Sequence, residues 1–194
     1  MVALGVVAVV SLSFVLPGVL GSKSALGGRS ANAVGIEPGF GLRAGSAVPA
    51  FSGRDVLTGT AITSGSLYGQ RTLLFFSEGV ACQACLQQIQ SLQQVGAELK
   101  QRGIRLVSIT PDPSAVLRQA IAQYGITTPV ISDSDLRMSE AFNTIGQGMH
   151  ADTPGHAFAL IYHGRVLWYR DYWLAPDHAM YVDPARLLAD ITPA

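Results

Sequence analysis

The stretch from Thr72 to Ile89 constrains the chain more than any other. A short apolar run, Leu73-Leu74-Phe75-Phe76, is closed by Ser77-Glu78-Gly79 and followed by a Cys82-Gln83-Ala84-Cys85 pair. After the second cysteine, Leu86, Ile89, Leu92, Val95 and Leu99 recur at three- and four-residue spacing, with Gly103 as a stop. The pattern predicts a buried strand, a loop, and a helix with both cysteines in its first turn. A cysteine at a helix N-terminus faces unpaired backbone N–H groups and the positive end of the helix dipole, which favour thiolate over thiol. Three residues on, the second cysteine falls on the same side and close enough to close a small ring. Cys82 is then the exposed nucleophile, and Cys85 the thiol that resolves a mixed disulfide. The competing readings are inert core thiols or half of a zinc site, which His150 and His156 would have to complete.

Composition narrows the alternatives. Thirteen basic and thirteen acidic residues cancel, and no basic cluster occurs, which argues against a nucleic-acid partner. Two cysteines in one motif exclude a disulfide-stapled scaffold. With 194 residues, 48% of them hydrophobic, there is material for one domain and an N-terminal extension.

That extension begins with an apolar run from Val2 to Leu16, continued weakly through Leu20. Residues 1–20 are therefore expected to form a transmembrane anchor, with a signal peptide as the competing reading. Residues 21–44, rich in Gly, Ser and Ala, read as a flexible linker, and residues 45–194 as the folded domain. Lys23, Arg29 and Arg43 follow the apolar run, so the positive-inside rule alone would leave the domain in the cytoplasm.

Within the domain, Val56 to Ile62 reads as a hairpin broken at Thr58-Gly59, and Ile104 to Ile109 as a strand. Asp112-Pro113 opens a helix to Tyr124, stopped by Gly125; Pro129 to Ile131 is a short strand and Ser134 to Phe142 a helix. Two strands, Ala157 to Tyr162 and Arg165 to Arg170, form a hairpin, and Asp183-Pro184 caps a last helix. Their order predicts an α/β fold with a mixed central sheet flanked by helices on both faces. Trp168, Tyr169, Tyr172 and Trp173 read as packing aromatics.

Several of these residues resemble the thioredoxin-like superfamily, in its redoxin (AhpC/TSA, peroxiredoxin-like) branch, which includes membrane-anchored thiol–disulfide proteins. The resemblance rests on Val48-Pro49-Ala50-Phe51, Cys82-x-x-Cys85, Ser108-Ile109-Thr110-Pro111-Asp112 and Thr153-Pro154, and covers about Gly45 to Asp171. It implies a thiol–disulfide oxidoreductase, extracytoplasmic and membrane-anchored, that needs no cofactor beyond its redox-active disulfide. Its partners would be a protein thiol or disulfide substrate and a redox partner that recycles it. It further implies a cis peptide at Thr153–Pro154, packed against the cysteines, and places Thr153, Pro154, Glu78 and His156 beside Cys82 and Cys85 as catalytic candidates. His150 and Asp152 flank the same loop. Two alternatives remain: a Sco-like copper chaperone with Cys82, Cys85 and His156 as ligands, and a thiol peroxidase working through a sulfenic acid at Cys82. The sequence departs from the peroxiredoxin pattern, with Phe75 and Gly79 where that family has Pro and Thr. It also departs from thioredoxins, with Ala81 in place of Trp and Phe76 in place of the buried acid.

Overall fold

The computed structural model describes residues 40–191, so the expected anchor and most of the expected linker lie outside the described residues. Among the described residues no helix is long and apolar enough to cross a membrane. From Phe40 onward the chain lies against the domain: Gly41 donates to the Asn143 carbonyl at 2.9 Å, and Gly45 to that of Val166 at 2.7 Å.

Two strands, β1 (Ser52–Arg54) and β2 (Ala61–Thr63), form a small antiparallel hairpin. The main sheet has five strands: β3 (Arg71–Phe76), β4 (Ile104–Thr110), β5 (Val130–Ser132), β6 (Ala157–Tyr162) and β7 (Arg165–Asp171). Their order is β5-β4-β3-β6-β7, with β3 central, parallel to β4 and antiparallel to β6. Central placement suits β3, because a strand covered on both faces can be apolar without alternation. Leu73 to Phe76 are all fully buried.

Five helices complete the domain: α1 (Gln83–Gln94), α2 (Gly96–Gln101), α3 (Ser114–Tyr124), α4 (Arg137–Ala141) and α5 (Pro184–Asp190). On one face of the sheet, Leu73, Phe75, Phe158 and Leu160 pack with Leu86, Ile89, Leu117, Ile121 and Leu187, from α1, α3 and α5. On the other, Leu74, Phe76, Ala157 and Ile161 pack with Phe51, Ile62, Met138 and Phe142, from the hairpin and the α4 segment. Helices cover both faces of a mixed sheet, as the order of elements predicts.

Local differences have physical causes. The single helix expected from Cys82 to Gly103 is broken at Val95–Gly96, where glycine's backbone freedom disfavours helix continuation. Asp112 does not cap α3: Pro113 occupies the N-cap, and the Asp112 carboxylate instead accepts Val80 N–H. The α4 helix starts at Arg137 rather than Ser134, because Asp133 accepts the N–H groups of Met138 and Ser139 and sets the turn there. Asp183 caps α5 as expected, accepting Ala185 N–H at 2.8 Å.

Candidate active site

The loop after β3 delivers Cys82 to the N-cap of α1, and Cys85 to its first turn. The two are joined by a disulfide across a Cα–Cα separation of 5.3 Å, and Cys82 Sγ accepts Cys85 N–H at 3.2 Å. Cys82 is thus placed where helix N–H groups stabilise negative charge on sulfur. Cys82, expected to be exposed, is itself buried at 5% exposure; Cys85 is fully buried, which leaves Cys82 the nearer of the two to solvent. A hollow of about 310 Å³ is lined by Val80 and Leu86, which flank the dithiol in the chain, and by Val116, Gln119, Gln123 and Tyr124.

His156 stands behind the pair. Its Nδ1 lies 3.7 Å from Cys85 Sγ, and its Nε2 3.3 Å from Gln88 Oε1. The ring is wholly buried, edge-on to Phe75 with centroids 4.7 Å apart. Burial pulls its pKa down to about 3, because an imidazolium there would lose its hydration without a compensating charge. His156 is therefore neutral at physiological pH.

Glu78, the other acid expected near the cysteines, is used differently. One carboxylate oxygen accepts Met149 N–H and the other lies 3.3 Å from His150 Nδ1, so the residue pins the 147–150 loop. Its side chain is 2% exposed against 59% for His150. Among the described residues neither Glu78 nor His150 hydrogen-bonds a cysteine. Asp152 is exposed.

The expected cis bond at Thr153–Pro154 is corrected: no described peptide bond is cis. Thr153 O accepts Gly146 N–H at 2.9 Å, Gly155 N–H donates to Thr144 O at 3.0 Å, and Ile145 bridges Pro154. The chain's own 144–146 segment occupies this backbone edge, and the trans bond, lower by roughly 0.5–1 kcal/mol, accommodates that pairing. Pro154 is buried and Thr153 partly so.

Two functional-looking residues were not singled out in the sequence. Gln88 is fully buried on α1: its Oε1 accepts Val182 N–H at 2.6 Å and its Nε2 donates to Val182 O at 3.0 Å. The available signal is a polar residue inside the apolar stripe of Leu86, Ile89 and Leu92. Asp171, at the end of β7, is also fully buried; its Oδ1 accepts Trp173 and Leu174 N–H, while Oδ2 has no hydrogen-bond partner among the described residues. Burial first, and then the nearby Glu78 charge, push its pKa up to about 6, against the pull of those two N–H groups. Nothing in sequence spacing marks Asp171, because its isolation depends on how Gly155 and Gln147 close over it.

Among the described residues no group of three or more His, Cys, Asp or Glu side chains is arranged to hold a metal ion.

The fold recurs in solved structures. Peroxidoxin BcpB from Mycobacterium tuberculosis superimposes with a TM-score of 0.64 at 19% identity, over 77% of this chain and 96% of that one. A structure described as a "putative Thiol:disulfide interchange protein DsbE" from Chlorobium tepidum gives 0.59 at 21%, again over 77% and 96%. One described as a "putative protein disulfide isomerase" from Bacteroides thetaiotaomicron gives 0.61 at 19%, over 78% and 91%. No curated protein matches the sequence. The AhpC/TSA family pattern matches residues 44–165, the hairpin, β3 to β6 and the dithiol included, and on that match the chain belongs to the AhpC/TSA family.

Proposed function

We propose that the protein is a thiol–disulfide oxidoreductase that exchanges disulfides with a partner protein through Cys82 and Cys85. The carrying observation is the Cys82–Cys85 disulfide at the N-terminus of α1, with Cys82 at 5% exposure and Cys85 at none. In the reduced protein, Cys82 thiolate attacks a partner disulfide, forming a mixed disulfide and releasing one partner thiolate. Cys85 then attacks Cys82 Sγ, the mixed bond breaks, and the second partner thiolate leaves with the electron pair. The partner gains two electrons and the protein is left oxidised; run backwards, the same steps oxidise a partner dithiol. The hollow lined by Val80, Leu86, Val116, Gln119 and Gln123, of mixed polar and apolar character, is the seat this reading gives the partner segment. A membrane tether remains part of this reading on the apolar run at Val2 to Leu16, and an extracytoplasmic site of action on the resemblance to anchored redoxins, against the positive-inside reading of Lys23, Arg29 and Arg43.

A peroxidase also finds support in the fold, since peroxidoxin BcpB shares it. Against it, the positions that carry Pro and Thr in peroxiredoxins are Phe75 and Gly79.

The test equilibrates the chain in graded thiol–disulfide buffers and counts alkylated cysteines by mass spectrometry. A reversible two-electron transition is expected, and Cys85→Ser should trap a stable mixed disulfide at Cys82. Failure to form the disulfide at any ratio sinks the proposal. Catalytic turnover of peroxide, with no exchange on a protein disulfide, transfers the assignment to a peroxidase.

A further inference from the structure

We infer that His156 is the base that takes the proton from Cys85 in the resolving step, and that Gln88 is the positioning residue that fixes which ring nitrogen does so. This rests on the thiol–disulfide reading above and assigns its proton path.

The argument begins at Val182. Its backbone N–H donates to Gln88 Oε1 and its carbonyl accepts from Gln88 Nε2. A backbone amide cannot exchange donor and acceptor, so the Gln88 side chain has one allowed orientation; reversed, it would set donor against donor and acceptor against acceptor. Oε1 is therefore an acceptor only. The His156 Nε2 that meets it at 3.3 Å must carry the proton. A neutral imidazole has one N–H, so Nδ1 is left with its lone pair, and Nδ1 is the atom 3.7 Å from Cys85 Sγ.

The surroundings explain why this base works only on this thiol. Facing the ring are Cys85 and Gln88 from α1, Phe75 from β3 and Phe158 from β6. None of these groups is charged while the disulfide is closed, and a lone imidazolium is correspondingly disfavoured. In the mixed disulfide, transfer of the Cys85 proton to Nδ1 creates an imidazolium–thiolate pair instead of an isolated charge. The thiolate then attacks Cys82 Sγ, the Sγ–partner bond breaks, and the departing partner thiolate takes up the proton that the imidazolium gives back. No net charge stays buried at the end.

Two measurements test the inference. In the first, the reduced chain reacts with a chromogenic aromatic disulfide: one aryl thiolate leaves when Cys82 attacks, the second when Cys85 resolves. His156→Leu is expected to slow the second phase about 100-fold or more at neutral pH, and to make its rate climb with pH, while the first phase changes little. Gln88→Leu should slow it by at least about tenfold, by freeing the other tautomer. A second phase in His156→Leu within about twofold of the parent, with the same pH profile, overturns the role. In the second measurement, long-range nitrogen–proton NMR on the unaltered oxidised chain reads the tautomer, which no folding defect can obscure. A proton on Nε2 is expected, and one on Nδ1 refutes the inference. If no aryl thiolate is released at all, the exchange reading itself has failed, and the ring spectrum still decides whether Gln88 sets the tautomer.

Discussion

The carboxylate of Asp112 accepts the backbone N–H of Val80 at 2.9 Å, tying the loop that presents the dithiol to the end of β4. Burial raises the Asp112 pKa, while this same hydrogen bond pulls it down. Gly79 fits only because it lacks a Cβ, which would collide with that carboxylate, and its φ is +97°. Asp112→Ala should therefore cost about 1 kcal/mol in urea unfolding, and specifically speed exchange of the Val80 amide proton. An unchanged exchange rate at Val80 would show the tie to be dispensable.

Two buried groups make opposing demands on pH. His156 is held down to about 3, so between pH 6.5 and 3 the unfolded chain binds a proton that the folded one refuses, and stability falls as pH falls. Asp171 is pushed up to about 6 from 3.8, so across that window the folded chain holds a proton the unfolded one lacks, and stability falls as pH rises. The two slopes offset each other between about pH 4 and 6. Asp171→Asn should unmask the histidine slope, a loss approaching about 1.4 kcal/mol per unit of acidification there. Superimposable stability–pH curves for the two proteins over that range would contradict this.

Glu78 contributes to the raised pKa of Asp171 through its charge. Glu78→Gln should therefore move the Asp171 titration downward, while retaining an oxygen for Met149 N–H. A carboxyl-carbon NMR titration reads this directly, and an unmoved or rising midpoint would mean that the two acids do not sense each other. The same substitution removes the charge that meets the exposed His150 ring.

Two glycines should respond in opposite directions to the same change. Gly96 starts α2 with open space where a Cβ would sit and without a left-handed φ, so Gly96→Ala should stabilise by about 0.5–1 kcal/mol. Gly125 terminates α3 at φ +61°, so Gly125→Ala should destabilise by about 1 kcal/mol. Thermal melts of the pair test both signs, and equal shifts would refute the distinction.

The sheet and the dithiol were legible because each is written locally. Leu73 to Phe76 form an unbroken apolar run, and the stripe after Cys85 has helical spacing, so β3 and α1 follow from sequence alone. The hairpin β6–β7 follows from His163-Gly164 between two apolar strands. The rest depends on contacts between distant residues. Gln88 looks like one polar residue among many until Val182 arrives, and Glu78 looks like a solvated loop acid until Met149 and His150 fold over it. The trans Thr153–Pro154 bond is hidden for a similar reason, since residues 144–146 pair with that segment and nothing in the dipeptide announces them. His156 was recognisable by its nearness to that dipeptide; which of its nitrogens faces sulfur was not.

The clamp between Gln88 and Val182 joins positions 94 residues apart. On the ribosome the cysteines, the first turn of α1 and the central strand are all made long before Val182 exists. A nascent chain can therefore close or exchange its disulfide during a period when Gln88 has no backbone partner and the imidazole of His156 is free to carry its proton on either side. The dithiol acquires its mature acid–base character only late in synthesis, so its reactivity toward other thiols differs between the growing chain and the finished one.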